Sequence, residues 1–216
     1  MAKVDEYPGA HLVIENVDGR CIHSRFCVLN LPSVFVPNVD GPWIKPDAAS
    51  VEAAVAVTTR CPSGALRYRP VGDTPAEGAP GVNTIRVWED GPLAVHAELN
   101  VEGDTSGRRA TLCRCGKSFH KPYCDGMHRK AAFKATGEPA VQTSEPLAVR
   151  NGPLKVTPTL NGPLHVEGAL EICSASGQTI TRVTETWLCR CGHSKDKPFC
   201  DGSHEAAGFL ASGVDG

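Results

Sequence analysis

Short alternating runs of apolar and polar residues dominate the chain. The runs 164–167 and 179–187 intersperse apolar and polar residues, which is typical of strands with one buried face. The N-terminal part differs, because a strand-like run at 11–15 is followed by a predicted short helix after Cys21 and a longer one over about 48–59. Asp47 stands where its carboxylate would cap the longer helix. The pattern predicts an α+β protein.

The chain contains an internal repeat. The string C-x-C-x8-C-x3-H occurs twice, at residues 113–128 and 189–204. Each copy follows a Gly-Pro turn and a strand-like run, residues 90–95 and 161–166, and a phenylalanine follows each final histidine after five residues. The repeat therefore predicts two related, β-rich structural units. A similar turn and strand at 151–156 forms either an additional cap strand or a connection between the copies.

Changes in residue composition along the chain predict its domain organisation. Residues 1–70 form an N-terminal module, and residues 71–86 form a linker rich in glycine and proline. The first copy of the repeat belongs to a unit at 87–145, and the second belongs to a unit at 146–216.

Composition narrows the class of protein. The 216 residues carry a formal net charge of −2 and no basic run, which argues against binding to nucleic acid. The apolar runs are too short to span a membrane. The first residues contain no apolar signal region, so we expect a cytoplasmic protein. Ten cysteines in a reducing compartment favour metal or cluster binding over disulfides.

The repeated donor set defines the chemistry. Three thiolates and one imidazole suit Zn²⁺ or an iron–sulfur cluster and disfavour Ca²⁺ and Mg²⁺. The C-x-C spacing is shorter than the C-x2-4-C hook of structural zinc sites, whereas a cluster can distribute its ligands over two irons. The spacing favours iron. The alternative is a pair of zinc sites that hold together small β units with little core of their own.

The full string C-x-C-x2-S-x3-P-x-C-D-G-x-H resembles the signature of the CDGSH iron–sulfur proteins, the mitoNEET-like family. The first copy departs from it at Met127, where serine is usual; since that side chain is not a ligand, we expect the cluster to be retained. The resemblance implies two [2Fe–2S] clusters, each with the C-x-C pair on one iron and the remaining cysteine and histidine on the other. The implied ligands are Cys113, Cys115, Cys124 and His128 for one cluster, and Cys189, Cys191, Cys200 and His204 for the other.

The resemblance also implies an arrangement of the two units. Family members pair as homodimers, so tandem copies imply an intramolecular pseudo-dimer with a shared β cap, and hence a monomer with internal pseudo-two-fold symmetry. Asp125 and Asp201 are expected to cap the short helices that carry the histidines. Ser118 and Ser194 are expected to donate to a cluster sulfide.

The N-terminal module carries a separate set of cysteines. The segment from Cys21 to Tyr68 resembles the divergent single-cluster ferredoxin domain, which implies a small ferredoxin-like fold. Ser24 occupies the middle position of a C-x2-C-x2-C string, so three cysteines remain: Cys21, Cys27 and Cys61. This set suits a [3Fe–4S] cluster, or a [4Fe–4S] cluster whose last iron is held by His23 or another group. The alternative is a module without a cluster, in which the cysteines pack as small apolar residues.

These motifs favour a redox function. The chain has no nucleophile triad, phosphate-binding glycine loop or hydrolytic zinc pattern, so we expect no enzymatic turnover. An imidazole in place of a thiolate raises the reduction potential and couples it to protons, which fits electron transfer or redox and pH sensing. The alternatives are cluster storage with transfer to apo-proteins, and a zinc-stapled binding module. The expected partner is a redox protein or an apo-acceptor.

Lysines accompany both copies of the repeat. They form a predicted basic rim that would either steer an acidic redox partner or serve as ordinary solubilising charge, and they are Lys117, Lys121, Lys195 and Lys197.

Overall fold

The computed structural model describes residues 3–102, 104 and 107–213. The chain divides into two compact units, residues 1–78 and 79–216, so that both copies of the repeat lie in the second unit. The fold is mixed α+β and rich in strands, as the sequence predicts. No helix in the described part of the chain is both long and apolar enough to cross a membrane.

The first unit is built on a small antiparallel sheet. Its strands are β1 (Val4–Pro8), β2 (Leu12–Val17) and β3 (Leu66–Pro70), with β2 in the centre. Between β2 and β3 the chain forms α1 (Phe26–Asn30), a 3-10 turn (Pro46–Ala48) and α2 (Val51–Thr58). One face of the sheet and α2 enclose the core, which includes Leu12, Ile14, Val34, Phe35, Ile44, Ala54, Val57 and Leu66.

The longer predicted helix begins later than expected. The prediction that Asp47 caps a helix from residue 48 is wrong, because α2 begins at Val51 and the side chain of Ser50 accepts from the amide of Ala53 at 3.3 Å. The Asp47 carboxylate instead accepts from the amide of Ala10 at 2.9 Å. Asp47 therefore fixes the β1–β2 turn, and Ser50 provides the cap.

The second unit is built on one sheet that both copies of the repeat share. The first copy supplies β4 (Thr84–Val87), β5 (Leu93–Val101), β6 (Gly107–Leu112) and α3 (Met127–Lys130). The second supplies β7 (Pro153–Pro158), β8 (Leu164–Cys173), β9 (Thr179–Leu188) and α4 (Ser203–Ala206). The predicted strands at 164–167 and 179–187 are confirmed, and the third turn and strand becomes β7.

The two copies exchange strand pairings. Strand β4 pairs antiparallel with β5 of its own copy and parallel with β8 of the other. Strand β7 pairs antiparallel with β8 of its own copy and parallel with β5 of the other. The outer strands β6 and β9 then pair with β5 and β8. Because alternate side chains of these strands point inward, both copies contribute to one apolar core.

Candidate metal centres

Each donor loop begins at the end of a long strand. In the first copy β6 ends at Leu112 and Cys113 follows directly. The amide of Cys113 donates to the carbonyl of Pro122 at 2.8 Å, and the amide of Cys124 donates to that of Thr111 at 2.8 Å. In the second copy the amide of Cys189 makes the same bond to Pro198. These bonds fold the loop back on its strand and bring the third cysteine beside the C-x-C pair.

The first predicted tetrad is present as two close donor pairs. The sulfurs of Cys113 and Cys115 lie 3.8 Å apart. The sulfur of Cys124 lies 3.3 Å from Nδ1 of His128, so that Nδ1 faces the thiol. Burial is nearly complete, since the cysteines expose 1, 6 and 2% of their surface and the histidine 9%.

The second tetrad has the same geometry and is more open. The sulfurs of Cys189 and Cys191 lie 3.6 Å apart, and the sulfur of Cys200 lies 3.4 Å from Nδ1 of His204. The C-x-C pair is buried, whereas Cys200 and His204 are half-buried. The structure therefore places the eight predicted donors at two centres that differ in exposure.

The two thiols of each C-x-C pair have opposite pKa shifts. The hydrogen bond with Cys115 lowers the pKa of Cys113, and the same bond together with burial raises the pKa of Cys115. Cys189 and Cys191 behave alike, with the pKa of Cys189 lowered. Burial lowers the pKa of His128, which favours the neutral imidazole that binds metals. Because thiols bind metals as thiolates, the thiol with the raised pKa must lose its proton when a metal binds.

The aspartate after the third cysteine ties the donor loop to its helix. Asp125 accepts from the amide of Phe119 at 2.8 Å and from that of Met127, the first residue of α3, at 3.0 Å. Asp201 accepts from Lys195 and Ser203 at the same distances. Because the bond at position 127 comes from the backbone, methionine in place of serine leaves it intact.

The expected role of the loop serines is wrong. The hydroxyl of Ser118 donates to the carbonyl of Tyr123 at 2.6 Å and accepts from the amide of His120 at 3.0 Å. Ser194 donates in the same way to Phe199 at 2.7 Å. Since the hydroxyl proton is used within the loop, these serines shape the loop and do not point to a cluster sulfide.

Sequence reasoning missed the arginine between the first two ligands. Arg114 exposes 1% of its surface, and its guanidinium donates to the carbonyls of Gly91, Thr136, Trp88 and Ala135 at 2.6 to 3.1 Å. It also lies 5.4 Å from the centre of the Phe133 ring. Burial lowers the pKa of Arg114 to about 10, so the group stays charged at neutral pH. This arginine clamps the preceding turn and the segment after α3 onto the donor loop.

Arg190 repeats this clamp in the second copy. It donates to the carbonyls of Gly162, Thr159 and Ser212 and lies 5.5 Å from the centre of the Phe209 ring. The repeated phenylalanine of the sequence is thus the ring on which each arginine rests. The signal for this role was the identical arginine at the centre of both C-x-C strings.

The two donor loops touch through their glycines. A β-carbon at Gly116 would overlap the carbonyl of Cys191, and one at Gly192 would lie 2.7 Å from the carbonyl oxygen of Cys115. Both glycines also have positive φ angles, 75° and 89°. Glycine is required at both positions, because only it permits this backbone contact between the copies.

In the first unit, the three predicted cysteines line one small pocket together with Ser24. They are Cys21 and Cys27, from the segment before and within α1, and Cys61, after α2. The amide of His23 donates to the sulfur of Cys21 at 3.4 Å, and the amide of Leu66 donates to that of Cys61 at 3.5 Å. Nδ1 of His23 lies 3.8 Å from the Cys21 sulfur. The structure therefore brings this donor set together.

None of the ten cysteines, all of which lie in the described part of the chain, forms a disulfide. Cys173 lies at the end of β8, where it exposes 8% of its surface and packs as a core residue. Within the described ranges, no three His, Cys, Asp or Glu side chains converge on a position for a single metal ion.

Comparison with protein families identifies the class. The model for the iron-binding zinc finger of CDGSH type matches twice, over residues 90–129 and 161–205. The model for the divergent 4Fe-4S mono-cluster domain matches residues 7–70. These matches support metal binding of the iron–sulfur type, with tandem CDGSH segments that follow a divergent mono-cluster segment along the chain, as the sequence predicts.

Curated relatives match a limited part of the chain. Two of them, both called "Uncharacterized protein YjdI", come from Escherichia coli strain K12 and from Escherichia coli O157:H7. Each is 46% identical over 50 residues, which is 23% of this chain and 63% of the relative. The chain thus spans less than two thirds of the relatives it matches.

Proposed function

We propose that the protein transfers single electrons through two [2Fe–2S] clusters, one in each donor loop. The observation that carries the proposal is the division of each tetrad into a Cys–Cys pair and a Cys–His pair. Two sulfurs bound at about 2.3 Å to one tetrahedral metal lie about 3.8 Å apart. The observed separations of 3.8 and 3.6 Å fit this value, so each C-x-C pair suits one metal atom.

The other pair suits a second metal atom. Cys124 with His128, and Cys200 with His204, present one sulfur and one Nδ1 at 3.3 and 3.4 Å. Three thiolates and one imidazole match the soft and borderline donors that iron–sulfur clusters use. When bound, such a cluster accepts and releases one electron. The chain contributes the ligands, a rigid loop held by Arg114 or Arg190, and burial that excludes water.

The same proposal includes an intramolecular pseudo-dimer with a shared β cap. The exchanged pairings of β4 and β7, and the reciprocal contacts of Gly116 and Gly192, support a two-fold relation between the copies. A monomer would then contain both halves of the arrangement. We further propose that it acts without enzymatic turnover, serves a redox partner protein and works in the cytoplasm.

We extend the proposal to the first unit, whose pocket would hold a [3Fe–4S] or [4Fe–4S] cluster. Cys21, Cys27 and Cys61 line one pocket, and the amides of His23 and Leu66 donate to two of their sulfurs. Donation from backbone amides stabilises thiolate charge. His23 lies near enough to Cys21 to serve a fourth iron, and Ser24 faces the same pocket.

Cluster transfer to apo-proteins is the second candidate function. The observation that favours it is the greater exposure of Cys200 and His204 relative to Cys124 and His128. A protonated imidazole releases its iron, so acid would labilise this more accessible cluster and make the site responsive to pH. We predict that His204→Cys slows cluster loss in acid; unchanged loss would remove the imidazole from the mechanism.

One experiment separates the candidates. Anaerobically purified protein is reduced with dithionite, reoxidised by air, and then incubated with an apo-ferredoxin while the visible spectrum is followed. A carrier bleaches and recovers its spectrum and leaves the acceptor colourless. A donor loses its colour as the acceptor gains it. Zinc without visible absorbance would contradict both and support a zinc-stapled module.

A further inference from the structure

The two donor loops have the same backbone and different charge. The segment 113–133 contains five lysines and arginines and one aspartate, a formal charge of +4. The matching segment 189–209 contains three lysines and arginines against three carboxylates, a formal charge of 0. Since the two loops hold equivalent donor sets, this difference is unrelated to holding a cluster.

Two lysines of the predicted basic rim make contacts within the protein. The ammonium of Lys121 donates to the carbonyl of Ser118 at 2.6 Å and lies 6.0 Å from the centre of the Phe209 ring in the other copy. Lys197 donates to the carbonyl of Ser194 in the same way. These two lysines stabilise the loops, so the predicted steering role does not rest on them.

Most of the remaining charge differences fall at exposed residues of the donor loop and α3. Phe119 exposes 81% of its surface, and Lys117, Arg129 and Lys130 are also exposed. We call these four residues the first-loop patch. At the positions that match Lys117, Phe119, Arg129 and Lys130, the second copy has His193, Lys195, Glu205 and Ala206, respectively. Three cations and a ring in the first copy therefore correspond to one lysine and one glutamate in the second.

The patch is held rigidly against the donors. Asp125 binds the backbone of Phe119 and the start of α3, which carries Arg129 and Lys130. The amide of Lys117 donates to the sulfur of Cys115 at 3.5 Å. Because every member is linked to the donor loop within a few bonds, a protein that covers the patch also comes close to the first cluster.

We infer that the first-loop patch is the docking surface for an acidic electron-transfer protein, and that electrons enter or leave through the first site. This inference rests on the proposed function. Clustered cations steer an acidic partner toward the site, and an exposed aromatic ring among charges is typical of a residue that anchors an interface. The second loop lacks both features.

An anionic membrane is the competing occupant of such a surface. The observations favour a protein, because the patch has a single exposed ring on a loop and lacks an amphipathic helix that would insert into lipid. The whole chain also carries a net charge of −2, which opposes attraction to an anionic surface beyond the patch.

The test uses a purified flavodoxin, an acidic flavin protein, as the probe. Its reduced form is mixed anaerobically with the oxidised full-length protein, and the loss of cluster absorbance is followed by stopped flow. In each encounter the flavin loses one electron and a cluster gains it. We expect the second-order rate to fall as salt is raised from about 20 mM to about 500 mM, because salt screens the attraction.

Variants locate the surface. Phe119→Ala and the double variant Lys117→Gln/Lys130→Gln are each expected to lower the rate at low salt by about fivefold. Lys195→Gln removes a lysine from the second loop and is expected to match the wild type. Phe119→Ala changes no charge, so it does not alter the reduction potential through charge. Iron content and unfolding temperature confirm that each variant is folded.

Several results would overturn the inference. A rate independent of salt, or an equal fall in Lys195→Gln, would show that the first loop is not the docking surface. Binding to vesicles containing phosphatidylserine that Phe119→Ala abolishes would assign the patch to a membrane. Reduction with dithionite distinguishes failure of the proposed function from failure of this inference. If the cluster absorbance does not bleach with dithionite and recover in air, the proposed function is contradicted. If it does, but the reaction with flavodoxin lacks the expected dependence on salt and on the variants, only this inference is contradicted.

Discussion

The carbonyl oxygen of Cys191 lies against Gly116, so close that a β-carbon at position 116 would overlap it. The two copies make this contact reciprocally, because Gly192 meets the carbonyl of Cys115. A ligand of each predicted cluster therefore forms part of the wall of the other donor loop. A substitution at this contact in one donor loop should therefore affect both predicted cluster sites.

Gly116→Ala tests this contact. The new methyl group must displace the Cys191 backbone, an overpacking that costs about 1–3 kcal/mol in addition to the strain of a positive φ angle. We expect a lower unfolding temperature and faster loss of visible absorbance from both sites. The matched control is Gly126→Ala, which has a similar φ of 86° and no atom within 4 Å of the added carbon. Equal effects in both variants would show that strain alone matters.

Arg114→Lys tests the clamp. An ammonium keeps the charge but cannot donate to four carbonyls in the plane of a guanidinium, and each lost charged hydrogen bond costs about 1–3 kcal/mol. We expect the first cluster to be lost roughly tenfold faster, visible as a new fast phase in the decay of absorbance. Arg129→Lys, an exposed position nearby, serves as the control. A single unchanged phase would remove the clamp from the account.

Cys61→Ser tests the N-terminal site. We expect this variant to lose the iron of the first unit, about three or four atoms per chain, while the spectrum of the two [2Fe–2S] centres remains. Cys173→Ser is the control, since Cys173 is a core residue at the end of β8. Iron content that is identical in Cys61→Ser and wild type would indicate that the first unit holds no cluster.

The ion pairs of Glu171 with Arg150 and Arg182 should make the stability of the protein depend on pH. Its buried carboxylate binds Nε of Arg150 at 2.7 Å and faces Arg182 at 3.6 Å, and the bond to Arg150 lowers the pKa of Glu171. A lowered pKa contributes stability above the unfolded value of about 4.3, and this stability is lost as pH falls through the folded pKa.

Glu171→Gln should therefore unfold at a lower temperature than wild type at pH 7, with the difference shrinking as pH falls below about 4. Circular dichroism during heating measures both proteins under the same conditions. Glu185→Gln, an exposed position on the neighbouring strand β9, is the control. A difference that stays constant with pH would contradict the role given to the ionised carboxylate.

The donor sets could be predicted from sequence because their chemistry is carried by residue type and spacing. Cys113 to His128 and its second copy repeat a string in which each ligand has a fixed place. Arg114 was missed because its partners are backbone carbonyls more than 20 positions away, such as Trp88 and Gly91. A carbonyl carries no residue-type signal, so only the repetition of the arginine pointed to its role.

Elements whose partners are distant were also hard to predict. Aspartate is a common helix-capping residue, yet the Asp47 carboxylate accepts from the amide of Ala10, 37 positions away. The helix is capped by Ser50 instead. The strand β7 was recognised by its turn, but its place beside β5 depends on pairing between copies. Local pattern determines that a strand forms, whereas the exchange of partners depends on the shared core.

The most direct test of the central claim is the iron, sulfide and zinc content of anaerobically purified protein, measured together with its ultraviolet–visible spectrum before and after dithionite. We predict about four iron atoms and four sulfides from the two CDGSH segments, about seven or eight irons in all with the N-terminal cluster, and bleaching on reduction. Stoichiometric zinc in a colourless protein would contradict it.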